Sequence, residues 1–141
     1  MKLAQRTSAA LLALLVASSL MSAAQEPVQA TLYACVERED AYLARTGITD
    51  ALGIDNPASG GLVLTSAKAV TPNPRGANVS GDYLISNNTV EAQIAAAVGT
   101  RVQVAGFIRN LRVRTAANGQ TLPRRMAVTE WHAAGACSPQ P

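Results

Sequence analysis

Five arginines, Arg109, Arg112, Arg114, Arg124 and Arg125, flank the dipeptide Asn118-Gly119. Asn-Gly is a strong former of tight hairpin turns, so the spacing predicts that the chain reverses there and gathers the five guanidinium groups at one end of the molecule. Planar guanidinium forks make paired hydrogen bonds to phosphate and carboxylate oxygens, and the chemistry such a cluster suits is the grip of an anionic group. Phe107 just before the stretch and Trp131 just after it are the aromatics placed to add apolar contact or stacking. These seven residues form the candidate ligand-binding set. The competing reading is a solvated cationic hairpin whose charges keep an edge strand from aggregating.

Acid-base chemistry has a single candidate. Glu130 and His132 stand two apart, share a face if the segment is a strand, and would let the carboxylate orient the imidazole in a hydrolase. No nucleophile is marked beside them, so the plainer reading is a polar pair near a strand end, and no catalytic residue is assigned. One histidine and two distant cysteines do not make a zinc set, and Asp40, Asp50 and Asp55 lack calcium-loop spacing. No metal and no cofactor is expected.

The amino-terminal sequence bears on both the charge and the cysteines. Lys2 and Arg6 precede an apolar run from Ala9 to Val16 that extends to Met21, and Ser22-Ala23-Ala24 places small residues where a signal peptidase reads them. This is the pattern of a cleaved export signal, residues 1–24, and its strongly apolar part is shorter than the roughly 20 residues of a membrane span. The expected location is the periplasm or the medium, with no stable membrane anchor after cleavage. Removing Lys2 and Arg6 brings the formal charge of +3 close to neutrality. The remainder is polar: residues 25–99 hold four basic side chains against eight acidic ones, and from Thr100 onward there are six arginines and only Glu130. In an oxidising compartment the two cysteines, Cys35 and Cys137, are expected to pair.

Around these residues the hydropathy pattern predicts the following elements. After a flexible lead at 25–30, a first strand over 31–37 alternates Leu32, Ala34 and Val36 with polar neighbours. Residues 38–61 read as a long connection with a short helical turn near Asp40. Strands over 62–70 and 82–86 follow, separated by Pro72, Pro74 and Gly76. Asn88 and Glu91 have the spacing of a capping box for a helix of about ten residues that stops at Gly99. A fourth strand over 100–108 points Val102, Val104 and Ile108 inward, with Arg101, Gln103 and Phe107 on the other face. The apolar parity then changes near Asn110, which requires a bulge or a bend. A fifth strand over 125–131 precedes Cys137 and a tail at 138–141. The fold class is mainly β, a five-stranded barrel of OB-fold type over 31–137 with one short helix between strands three and four.

One stretch adds a resemblance. Asp82-Tyr-Leu-Ile-Ser, a short helix ending in Val98-Gly99, and then Arg101-Val-Gln-Val-Ala-Gly-Phe-Ile resembles a pattern in small exported bacterial OB-fold proteins, the BOF-like periplasmic proteins of largely unassigned function. The residue-level match covers about 83–108. It implies an OB-fold and a non-enzymatic role in envelope stress tolerance or in binding a small or envelope ligand. OB-folds commonly bind with the face of strands two and three and the loops after strands one and four, both long in this chain. An anionic envelope ligand or a partner protein is therefore the expected partner. Nucleic acid is disfavoured by export and by the low aromatic content. The alternatives are a structural or protein-interaction module without a small ligand, and the hydrolase built on His132 and Glu130.

Overall fold

The computed structural model describes residues 27–52 and 61–137. The expected signal peptide, the tail at 138–141 and residues 53–60 of the first connection, with Asp55, lie outside them.

Five strands close into a ring: β1 (Val28–Arg38), β2 (Leu62–Ala69), β3 (Gly81–Ile85), β4 (Thr100–Ile108) and β5 (Arg124–Ala136), in the spatial order β1-β2-β3-β5-β4 and back to β1. All neighbours are antiparallel except β3 and β5, which run parallel. The alternating side chains place Leu32, Ala34 and Val36 of β1, Val102, Val104 and Ile108 of β4, and Met126 and Val128 of β5 in one buried interior. β1 begins at Val28, within the expected lead, because Val28 and Gln29 pair with Ile108 and Phe107 and complete the ladder along β4. β5 runs five residues past the expected end at Trp131 for the same reason, since Ala136 lies opposite Thr100 at the other end of β4.

Two positions make the β4–β5 pairing possible. The interior position at Gly106 has no room for a side chain: a Cβ there would run into the main-chain carbonyl oxygen of Ala127. Next to it the register shifts, Ala105 facing Glu130 while Gly106 faces Val128, so Thr129 is an extra residue. Its hydroxyl donates to the Ala105 carbonyl at 3.1 Å. This bulge reverses which side chains of β5 face the interior.

There are two short helices, one where a helical turn near Asp40 was expected and one between the third and fourth strands. The first, α1 (Glu39–Thr46), follows β1 directly. Glu39 and Asp40 lie at its positive end and Arg45 at its negative end, and Gly47 closes it in the left-handed conformation with its N–H on the Leu43 carbonyl. The second, α2 (Asn88–Ile94), continues into a 3-10 turn over Ala95–Ala97. Gly99, at φ +82, ends this unit and donates its N–H to the Val36 carbonyl. Asn88, the expected cap, is the first residue of the helix, and the residue before it makes no side-chain cap. Asn87 precedes the helix, and its amide group instead donates to the Val128 carbonyl at 2.7 Å and accepts from the Val128 N–H at 3.2 Å. β3 has ended there, and the unpaired main chain of β5 takes the side chain that a helix cap would have used.

A second apolar cluster lies outside the ring. Val63 and Leu84, paired across β2 and β3, pack with Tyr42 of α1, with Ile48 and Leu52, and with Ala116 from the connection between β4 and β5. The two long connections therefore cover the outer face of β2 and β3. Their tips are joined by polar contacts: the Ala117 N–H donates to both carboxylate oxygens of Asp50, at 3.1 and 3.2 Å, and the Asn118 side chain donates to the Thr46 carbonyl. Cys35 of β1 and Cys137 form a disulfide with their Cα atoms 5.7 Å apart, tying the first strand to the residue after the last.

Candidate functional site

β4 ends at Ile108, and the chain bends where the parity change predicted it. Asn110 accepts the Arg112 N–H at 2.9 Å, a local side-chain turn that competes with continuing the strand. The following residues run as a connection outside the strands, bridge once between Thr115 and Thr121, turn at Gly119 with φ +88, and return through Pro123 into β5. The arginines before and after the turn are thereby brought together. An open groove of about 490 Å³ is lined by Phe107, Arg109, Arg112, Arg114, Arg124 and Arg125, with Ser86 at the end of β3 among the residues completing the wall. None of the lining residues is acidic.

The five arginines do different things. Arg109, Arg112, Arg114 and Arg125 are exposed, and Arg109, Arg112 and Arg114 make no ion pair among the described residues. Arg124 is buried and committed to the main chain. One terminal nitrogen donates to the Asn78 and Leu111 carbonyls at 3.0 and 3.2 Å, the other to the Ser80 carbonyl at 2.7 Å, and the guanidinium stacks on the ring of Tyr83. Three charge-assisted hydrogen bonds leave it little capacity for a ligand. Its role is to fix the floor of the groove and the 78–80 turn. The other four carry the exposed positive charge of the groove.

The two aromatics also separate. Phe107 stands on the outer face of β4, 38% exposed, and forms a wall of the groove. It is also a wall of a second groove of about 430 Å³, which Pro27, Val28, Pro72, Pro74 and Arg75 help to line. Trp131 lies outside the arginine groove. The extra residue at Thr129 turns it toward the interior cluster, where its indole N–H points to the Gln93 side chain of α2 at 3.5 Å. Its role is packing between β5 and α2.

His132 and Glu130 are both exposed on β5, opposite Gln103 and Ala105 of β4, and no hydrogen bond or ion pair joins them among the described residues. Of the acidic residues considered for a cation, Asp50 holds the turn at Ala117 and Asp40 accepts the Ala41 N–H. No group of His, Cys, Asp or Glu among the described residues is arranged to hold a metal. Tyr42 and Asp82 form a polar contact that the sequence did not single out. The buried Tyr42 hydroxyl donates to Asp82 at 2.8 Å, and the other Asp82 oxygen accepts the N–H of Ser66, whose φ is +53. Burial, and next the Asp82 hydrogen bond and charge, push the Tyr42 hydroxyl above the usual tyrosine range. This is a clamp between α1, β2 and β3, remote in chemistry from the arginine groove.

No family model matches the sequence, and neither a curated protein nor a solved structure is significantly similar to it.

Proposed function

We propose that the closed ring is an OB-fold and that the protein is a non-enzymatic, exported anion-binding protein that works in the cell envelope. The fold reading rests on the strand order, the parallel β3–β5 pair and the position of α2 between β3 and β4. The observation that carries the function is the groove itself, where four exposed arginines and Phe107 meet around a space with no acidic lining residue. Guanidinium groups so placed suit phosphate or carboxylate groups. The outer face of β2 and β3, a common ligand surface of OB-folds, is filled by the second apolar cluster, which moves the binding surface to this groove.

The test is retention on phosphocellulose, with elution by salt. The triple variant Arg109→Gln, Arg112→Gln, Arg114→Gln should elute at clearly lower salt than the parent. Equal elution would refute the reading. Export is checked by the mass of the protein recovered from the periplasm or medium, which should begin at Gln25.

A structural or protein-docking module is the rival reading, favoured by the way the two long connections spend their apolar residues on each other. One dominant protein adduct on crosslinking in the envelope, unchanged in the triple arginine variant, would favour it. The hydrolase reading has only the exposure of His132 behind it, and an activity screen insensitive to His132→Ala would remove it.

A further inference from the structure

The arginine-bearing stretch also leaves apolar side chains exposed. The large hydrophobic side chains left exposed among the described residues are Phe107, at 38%, and Val113, at 59%. Scattered exposed apolar residues are ordinary, but these two belong to one stretch in which they alternate with Arg109, Arg112 and Arg114. Val113 is flanked on both sides by arginine and lies outside the strands, where no ladder dictates its exposure. A ligand that is only an anion gives Phe107 and Val113 nothing to do. A surface that offers phosphates at one depth and hydrocarbon just beneath satisfies both residue types.

We infer that the stretch from Phe107 to Arg114 docks on an anionic phospholipid surface, with Arg109, Arg112 and Arg114 on headgroup phosphates and Phe107 and Val113 entering the boundary between headgroups and acyl chains. The inference rests on the anion-binding reading above and narrows its ligand to a bilayer. Charge complementarity supports it, since each basic side chain brought to an anionic bilayer strengthens attachment about fivefold.

Sedimentation with vesicles tests this alongside phosphocellulose retention. The protein should sediment with vesicles of phosphatidylcholine mixed with phosphatidylglycerol, release with rising salt, and stay in solution with phosphatidylcholine alone. Phe107→Ser with Val113→Ser should weaken vesicle binding about tenfold or more and leave phosphocellulose elution unchanged. Both residues are exposed, and an unchanged thermal midpoint establishes that the double variant is folded. Retention on phosphocellulose without vesicle binding, or vesicle binding indifferent to the double substitution, would overturn the bilayer inference and leave the anion-binding reading standing. Failure on both supports would remove both.

Discussion

The guanidinium of Arg124 lies over the ring of Tyr83, its Cζ 5.0 Å from the ring centre, while the Tyr83 hydroxyl donates to the Val79 carbonyl at 2.7 Å. The two side chains thus hold the turn at 78–80 from both ends, and Arg124 also reaches the Leu111 carbonyl. Arg124→Gln should cost about 2 to 4 kcal/mol, because it removes three charge-assisted hydrogen bonds from a buried side chain to partly buried carbonyls. Arg112→Gln, on the exposed wall, should stay within about 0.5 kcal/mol. Urea unfolding midpoints of the two variants measure the difference.

Gly106 and Gly99 are required for different reasons and should respond differently to alanine. At 106 the added Cβ meets the Ala127 backbone, which can move only by opening the β4–β5 ladder. The cost should exceed about 3 kcal/mol, with loss of the folded state in a marginal background. At 99 nothing lies within 4 Å and the penalty is the left-handed φ of +82 alone. That substitution should cost about 1 to 2 kcal/mol. Circular dichroism melts distinguish the two.

The disulfide spans a sequence separation of 102 residues. Constraining the unfolded chain over so long a loop contributes about 4 to 5 kcal/mol in the chain-entropy model. Cys35→Ser with Cys137→Ser, or reduction of the parent, should lower the free energy of unfolding by that order. The two treatments should give the same denaturant midpoint.

Alkaline pH should unfold the protein through its buried tyrosines. Tyr42 and Tyr83 are both raised, chiefly by burial, with Asp82 adding to the effect at Tyr42 and Arg124 opposing it at Tyr83. The folded state therefore holds its phenolic protons more tightly than the unfolded chain, whose tyrosines titrate near about 10. Their contribution is fully present below that pH and is lost as pH climbs through the higher folded values. Denaturant midpoints should be flat from neutral pH to about 9.5 and fall above it. Tyr42→Phe should make the fall shallower.

Asp50 is the polar link between the turn at Ala117 and the segment after α1. Asp50→Ala should cost about 1 kcal/mol and, more tellingly, speed hydrogen exchange at the Ala117 amide while leaving the amides of β4 protected.

Much of this arrangement is legible in the sequence where a local rule meets no competitor. β4 has its predicted ends because Val102, Val104 and Ile108 alternate and Gly99 precedes them. The cysteine pair follows from there being only two. Arg124 was also readable in principle, since it shares parity with Met126 and Val128 and so lies on their buried side. The second apolar cluster had a quieter signal in Leu62-Val63-Leu64 and Tyr83-Leu84-Ile85. Unbroken apolar triplets mark strands covered on both faces, and that covering is what draws Tyr42, Ile48, Leu52 and Ala116 of the two long connections into packing. Asn87 and Trp131 were beyond local reading. One side chain was claimed by the main chain of a strand far away in sequence, and the other was redirected by an extra residue whose need arises only when β4 and β5 meet.

The closed strand order also limits how any macromolecule can engage the protein. Recognition by strand addition needs a row of unpaired N–H and C=O groups, and over Leu32–Cys35 β1 lies between β4 and β2, with Val28–Ala30 paired to β4 alone. β5 loses its β3 partner after Met126, but the Asn87 amide occupies the next position, at Val128. Beyond it the bulge at Thr129 and the left-handed Gly135 bend the strand away from the flat geometry an incoming strand would need. Where a strand is paired on both sides only its side chains are left to be read, and among the described strands the short stretch Val28–Ala30 is one place where main chain still faces outward from the ladder.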